Sequence, residues 1–277
     1  METTGVKTLL CGIAKLENSY IREWVEHYKK LGFTNIVLYD NNDPDGECFE
    51  EVIGDYIENG YVIIENARGK TCFQYPAYME CYKKYKNSYE WMAFFDIDEF
   101  LELRKHNNIS DFLSQEHFNN FDMIHINWKT YTDSGKIKYE NKPVQERFTK
   151  TMPYKKCVKY NFPENNHVKT IIRCNKYEEI LFIPNPHSPI NVETCCNCIG
   201  EPVDAKSPFC NYNFEDAFLK HYTTKSLEEW VTNKMVRRYP DSHPSINKNH
   251  PHLSLDFYFL INEMTKDKKK YLRNLNT

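Results

Sequence analysis

Between Trp91 and Phe100 the chain reads Trp-Met-Ala-Phe-Phe-Asp-Ile-Asp-Glu-Phe, an apolar run that ends in Asp96, Asp98 and Glu99. A run of this length and composition suits a buried strand. Side chains alternate along a strand, so Asp96 and Asp98 are expected to point the same way. Two carboxylates on one side of a strand end form a site for a hard divalent cation. In an open α/β sheet that is also where ligands bind. The competing reading is a solvated strand end or a helix cap.

A second constellation joins His187 to Cys195, Cys196, Cys198 and Cys210. Three thiols within four residues, with a fourth in reach, have the composition of a structural Zn²⁺ site. Their spacing is not the usual pair of Cys-x-x-Cys knuckles, and reduced, partly buried cysteines are the default.

The elements that must position these groups alternate cleanly over the first hundred residues. Val6–Ala14 reads as a strand. Ile21, Trp24, Val25, Tyr28 and Leu31 follow helical spacing, with Asn18 or Ser19 as a cap and Gly32 as the stop. Asn35–Tyr39 is a second strand, and Asp40–Gly46 carries turn chemistry. Phe49, Val52, Ile53, Tyr56 and Ile57 mark a second helix, Tyr61–Ile64 a third strand, Tyr75–Tyr85 a third helix and Trp91–Phe95 a fourth strand. This alternation implies a parallel sheet with right-handed crossovers. Further on, Ile109–Leu113 reads as a short helix, Met123–Asn127 as a strand, and Lys169–Arg173 and Ile180–Ile183 as short β pieces. Ser226 followed by Glu229 is a capping box that opens a helix to Met235, and Asp256–Met264 suggests a last helix. No linker separates these parts. The simplest division is one domain, with a nucleotide-binding half at 1–103 and an irregular half at 104–277.

Composition bounds the function. The 277 residues are 40% hydrophobic and 15% aromatic, with 20 Tyr and 17 Phe, enough for a large core and for aromatic-lined surfaces. The net charge of −3 gives no global basic field, so a nucleic-acid partner is not expected. Ten scattered cysteines do not make a small disulfide scaffold. The N-terminus lacks the pattern of a signal peptide, and no run has the ~18 apolar residues of a membrane span. A reduced, cytosolic protein is expected. The basic run Lys266–Arg273 reads as a solvated helix end. A weaker reading is peripheral contact with the inner face of an anionic membrane.

Four segments together resemble the GT-A glycosyltransferases, in particular the family 2-like and family 92-like group. They are Ala14-Lys-Leu-Glu17-Asn18 through Glu23-Trp24-Val25-x-His27-Tyr28-x-x-Leu31-Gly32; Ile36-Val-Leu-Tyr39-Asp40-Asn41; Phe94-Phe95-Asp96-Ile97-Asp98-Glu99-Phe100; and His221-Tyr222-x-x-Lys225-Ser226-x-x-Glu229-Trp230-x-x-x-Lys234. Haloacid-dehalogenase-type phosphotransferases also use Asp-x-Asp. They place it after their first strand, with Thr or Val where Phe100 stands here.

The resemblance implies an α/β, GT-A-like, mostly parallel sheet with flanking helices and an irregular acceptor-binding second half. It implies a metal-dependent, inverting transfer of a hexose, with galactose a candidate, from a UDP-sugar to a glycan or glycolipid in surface polysaccharide or lipopolysaccharide synthesis. Asp96, Asp98 and His221 would hold Mn²⁺ or Mg²⁺, which neutralises the leaving diphosphate. Glu17, Asp40, Arg68, Gln74 and Lys225 are the candidates for nucleotide-sugar contact, with turn capping the competing reading for Asp40. Trp128 and Tyr131 would face the acceptor. Asp133 and Glu146 are the candidates for the general base. The alternatives are a sugar nucleotidyltransferase, though Gly12-Ile-Ala-Lys-Leu lacks a Gly-rich phosphate loop, and a non-catalytic carbohydrate-binding protein of the same fold.

Overall fold

The computed structural model describes residues 5–153, 164–237 and 251–275. The first half runs β1 (Thr8–Ala14), α1 (Ile21–Lys30), β2 (Asn35–Asp40), α2 (Glu50–Glu58), β3 (Val62–Asn66), α3 (Gln74–Tyr85) and β4 (Trp91–Phe94). These strands lie in the order β3-β2-β1-β4, all parallel. The chain leaves β1 on one side to build β2 and β3, then returns to its other side for β4. The switch point therefore falls between β1 and β4, where the diverging connections open a crevice at the carboxyl ends of the strands.

Both faces of this sheet are covered, which is why its strands read as continuous apolar runs. Leu10 and Ala14 of β1 pack toward Trp24, Val25 and Tyr28 of α1. Leu9, Cys11 and Ile13 pack the other way, toward Ala77, Tyr78, Cys81 and Tyr82 of α3. Gly12 has a specific use. A Cβ there would lie 3.1 Å from the Trp24 ring and 3.4 Å from Ile97. Its absence lets α1 bring the indole against the turn after β4.

The second half continues the same sheet. β5 (Glu99–Leu103), α4 (Ile109–Leu113), β6 (Met123–Thr130), α5 (Val144–Arg147), β7 (Val168–Arg173), β8 (Cys195–Cys196) and β9 (Ala217–His221) extend the order to β4-β7-β6-β9-β5, with β8 beside β6. β7 is antiparallel to β4 and to β6, β9 runs parallel to β6, and β5 closes the edge antiparallel to β9. The result is a nine-stranded, mostly parallel GT-A-like sheet with flanking helices. α6 (Leu227–Glu229), a π-helical turn (Trp230–Lys234) and α7 (Met235–Arg237) then follow, and α8 (Leu255–Ile261) and α9 (Lys266–Leu275) complete the chain. Leu227, Trp230, Phe257, Tyr258 and Ile261 form a small core of their own with Met152.

Three expectations change. Asp96 and Asp98 lie in the turn between β4 and β5, so strand alternation does not set their directions. Ile180–Ile183 forms no strand; Ile180 and Phe182 are buried against α3, while Leu181 bonds to Asn191 and Ile190 across a loop. The helix expected at Asp256–Met264 ends at Ile261, and the basic run beyond it is a further helix, α9. Among the described residues, no helix is long and apolar enough to cross a membrane.

Candidate functional site

The carboxylate turn is held by α1. The Trp24 indole N–H donates to the carbonyls of Asp96 (3.0 Å) and Glu99 (3.1 Å). The Tyr28 hydroxyl donates to the Glu99 carbonyl at 3.0 Å and accepts from the Leu101 N–H at 3.1 Å. Inside the turn, the Asp96 N–H donates to Glu99 Oε2 at 2.9 Å. Glu99 is fully buried, and burial pushes its carboxyl well above the usual range, opposed by Lys169.

Asp96 faces α3 and β7. Its Oδ1 accepts from Gln74 Nε2 (2.9 Å) and the Tyr78 hydroxyl (3.0 Å), and its Oδ2 pairs with Lys169 Nζ (2.9 Å). Lys169 has no exposed surface. Burial alone would lower its pKa, but Asp96 and Glu99 outweigh that and keep it charged. A lysine inside the apolar run Val168–Arg173 was a signal that sequence reading passed over.

Asp98 faces the other way, toward the C-terminal segment. Its Oδ2 accepts from Lys234 Nζ at 2.8 Å, and its Oδ1 lies 3.9 Å from His221 Nε2. Burial opposes its charge, but Lys234, His221 and Lys225 overcome this and hold the carboxyl far below the usual carboxylate range. Burial lowers the His221 pKa to about 4, against the pull of Asp98, so the imidazole is neutral. Main chain sets this approach. Glu99 of β5 is the register partner of His221 of β9, and the Tyr222 N–H donates to the Asp98 carbonyl at 2.8 Å.

These residues fit a hard divalent cation in part. A charged carboxylate and a neutral imidazole are suitable ligands, and two donors each ~2.1 Å from one ion stand about 3–4 Å apart. Asp96 is not in that group, because its oxygens are taken by Gln74, Tyr78 and Lys169. Among the described residues no three His, Cys, Asp or Glu side chains come together as a metal cluster. Asp98 and His221 suit the kind of Mg²⁺ or Mn²⁺ site that one or two side chains build with water and substrate phosphates.

Next to Lys234, on the side away from Asp98, a small solvent-open pocket is lined by Glu17, Lys225, Lys234, Arg237 and neighbouring side chains. Lys225 Nζ sits 4.0 Å over the Tyr20 ring and 3.9 Å from Glu17, and burial lowers its pKa to about 8. Arg237 pairs with the other Glu17 oxygen. The capping box expected at Ser226 and Glu229 is present. Glu229 also accepts from the Tyr20 hydroxyl at 2.7 Å and from both Arg147 terminal nitrogens at 2.8 and 3.0 Å. That buried network fixes the helix start next to Lys225. Leu16 (φ 55°) and Lys225 (φ 49°) both hold left-handed backbone, a strained state that clusters where surrounding structure enforces a functional geometry. Asn233, in the π-helical turn, donates to the Leu16 carbonyl in the bend after β1 at 3.0 Å. Sequence reading did not assign Lys234 and Arg237, although Lys234 lies in the quoted C-terminal segment.

The other donor-side candidates sit at the ends of β2 and β3. Asp40 Oδ1 accepts from the Asn42 N–H (3.0 Å) and side chain (2.8 Å), and its Oδ2 pairs with Arg68 at 3.1 Å. Arg68 also donates to the carbonyls of Gly46 and Glu47. Asp40 and Arg68 therefore clamp the 40–47 turn together. Gln74 joins the site through Asp96.

On the acceptor side, Trp128 lies tilted against His221 with ring centroids 4.0 Å apart and stacks on His167 at 4.9 Å. Tyr131 lies on Tyr222 at 4.8 Å. The two base candidates do not come to the carboxylates. Asp133 is buried; it caps Gly135 (2.8 Å), accepts from the Tyr258 hydroxyl (2.6 Å) and pairs with buried Lys268. Its acceptor positions are filled, which makes it a clasp for α8 and α9. Glu146 is exposed on α5, and Arg147 turns to Glu229 instead.

The cysteine constellation does not converge. Cys195, Cys196 and Cys198 direct their thiols to the carbonyls of Cys196, Met123 and Asn213, and Cys210 donates to Asn127. Burial pushes Cys196 up to about 12 and Cys210 up to about 11, so these are protonated thiols. His187 Nδ1 bonds to the Val168 carbonyl. The zinc reading fails on this geometry.

A family model described as Glycosyltransferase family 92 matches residues 10–254. A glycosyltransferase family 92 protein of Oryza sativa subsp. japonica is 28% identical over 104 residues, 38% of this chain and 18% of that protein. Galactan beta-1,4-galactosyltransferase GALS2 of Arabidopsis thaliana is 30% identical over 125 residues, 41% of this chain and 24% of that protein. The chain spans about a fifth of the curated relatives it matches. Among solved structures, S. aureus TarS 1-349 is 12% identical with a TM-score of 0.41, covering 97% of this chain and 78% of that one.

Proposed function

The chain belongs to glycosyltransferase family 92, and from it we propose the transfer of a hexose from a uridine diphosphate sugar to a hydroxyl of a glycan or glycolipid, with inversion. The observation that carries this reading is the approach of Asp98 and His221 to 3.9 Å beside a pocket edged by Lys225, Lys234 and Arg237. A carboxylate and a neutral imidazole next to three cations suit a ligand that carries both a divalent ion and a diphosphate. The relatives named as galactan galactosyltransferases support a hexose, galactose first.

In this reading Asp98 and His221 hold Mn²⁺ or Mg²⁺. The ion supplies Lewis-acid neutralisation of the departing diphosphate. Lys225 adds a point charge from the opposite rim, and its fixed backbone needs little reorganisation when the leaving group gains charge. Asp96, Glu99 and Lys169 brace the turn that presents Asp98. Trp128 is buried against the rings of His221 and His167 and so supports His221 from behind, which leaves half-buried Tyr131 as the aromatic candidate to face an acceptor sugar. The acceptor is proposed as a surface polysaccharide or lipopolysaccharide intermediate at the cytosolic face of a membrane. Lys266, Lys269, Lys270 and Arg273 of α9 are exposed and suit contact with an anionic surface.

The test is UDP release by the full chain with Mn²⁺ and a panel of UDP-sugars, with and without acceptor glycans. Asp98→Asn is expected to reduce release by at least ~10²-fold while the protein stays folded. Unchanged release in that variant would sink the cation assignment. UDP binding that ignores Mn²⁺, with no turnover on any sugar, would instead favour a carbohydrate-binding protein.

A further inference from the structure

Lys234 has one property that distinguishes it from Lys225 and Arg237. Its ammonium is in direct contact, at 2.8 Å, with the carboxylate proposed to hold the cation. The residue ends the π-helical turn Trp230–Lys234, a five-residue departure from α geometry of the kind that recurs at functional sites. Its side chain retains 12% exposure, against 0% for Lys169 on the other carboxylate. Lys169 is locked in the core, whereas Lys234 opens onto the same pocket as Lys225 and Arg237.

A divalent ion on Asp98 and an ammonium on the same carboxylate would face each other across a few ångströms, and their repulsion in a partly buried site is large. Lysine is a point charge on a four-carbon stem and changes rotamer readily. A nucleoside diphosphate in the pocket offers that charge a new partner.

Resting on the reading that Asp98 and His221 hold the cation, we propose that Lys234 is a cation-exchange residue: it neutralises Asp98 when donor is absent and moves to the diphosphate when the metal takes Asp98. Metal and nucleoside diphosphate then bind cooperatively. Each removes a competitor or supplies a partner for the other, and the coupling is reciprocal.

The experiment is calorimetric titration of the full chain with MnCl₂, with and without saturating UDP, and with UDP alone. For the unaltered chain, UDP is expected to tighten Mn²⁺ binding by roughly 10-fold or more. In Lys234→Met, Mn²⁺ alone should bind more tightly than to the unaltered chain, and the effect of UDP on Mn²⁺ should shrink to a factor of a few. In Asp98→Asn the Lys234–Asp98 ion pair is lost, so UDP should bind more tightly without metal than it does to the unaltered chain. Thermal melts establish that both variants are folded, and Lys234→Gln repeats the test if Lys234→Met is not. Mn²⁺ affinity that is unchanged or weaker in a folded Lys234 variant overturns the exchange while leaving the cation site in place. Failure of Mn²⁺ to bind the unaltered chain even with UDP overturns both this inference and the metal-dependent reading beneath it.

Discussion

The indole nitrogen of Trp24 donates to two backbone carbonyls, those of Asp96 and Glu99, at 3.0 and 3.1 Å. One side chain of α1 thus closes the turn that carries both candidate carboxylates. Trp24→Phe keeps an aromatic ring beside Gly12 but leaves two buried carbonyls without that donor. Stability should fall by ~1–3 kcal/mol, read as a lower urea midpoint with an unchanged slope. Mn²⁺-dependent UDP release should fall with it. An unshifted midpoint would mean that other contacts hold the turn.

Lys169 sits between Asp96 and Glu99 with no exposed surface. Lys169→Met removes the charge and leaves the fully buried Glu99 and the part-exposed Asp96 without their shared cation. The expected loss is ~3–5 kcal/mol. Adding Asp96→Asn should recover part of that loss, because the two sites share one network. Chemical denaturation of the single and double variants measures this, and strict additivity would contradict the coupling.

Asp133 is expected to act on stability and not on proton transfer, because its oxygens hold Gly135, Tyr258 and Lys268. Asp133→Asn can keep the Gly135 cap but strips Lys268 of its buried counter-charge. The melting temperature should drop while kcat stays within a few-fold. Loss of a general base would instead lower kcat by ~10²–10⁴. A fall of that size at a temperature where the variant is folded would return Asp133 to the chemistry. Glu146→Gln, at an exposed position, should change neither quantity.

Acid should destabilise the fold through its neutral histidines. Burial lowers the His125 pKa from 6.5 to about 4, slightly opposed by Asp204. Between those values the unfolded chain takes up a proton that the folded chain refuses. Stability is therefore intact above the unfolded pKa and is lost as pH falls toward the folded one, by about 1.4 kcal/mol per pH unit for this residue. His27, lowered to about 4 by burial, adds in the same direction. Denaturation at pH 7, 6 and 5 reads the slope, and His125→Gln should flatten it. An unaltered slope would place the titration elsewhere.

Periodicity revealed the parallel half because its strands and helices are dictated by neighbours in sequence. β1, β2, β3 and β4 lie where their apolar runs lie, and Gly32 stops α1 with φ 86°. The segments that resemble a known family also carry Asp98 and His221, which approach to 3.9 Å, and Lys225, which lines the neighbouring pocket. Direction was harder. A turn begins at the end of β4, so Asp96 and Asp98 diverge to different partners, and no local spacing encodes that. Long-range ion pairs were equally hidden. Asp133 finds Lys268, and Arg147 finds Glu229, across gaps of 135 and 82 residues. Whether a carboxylate is a base or a clasp depends on what arrives from those distances. Asp40 and Arg68 were both proposed to meet a nucleotide, and each has the other as a partner.

The register that sets Glu99 opposite His221 gives the site two mechanically different walls. Along β5 and β9 main-chain hydrogen bonds, together with that from the Tyr222 N–H to the Asp98 carbonyl, hold the backbone that carries Asp98 and His221. The opposite wall, from Lys225 to Arg237, meets the site through side chains such as Asn233, Lys234 and Arg237, whose contacts rest on rotamers and not on a strand ladder. Adaptation to ligands of different size therefore belongs to the helical wall, while the strand wall acts as a fixed ruler for the ion.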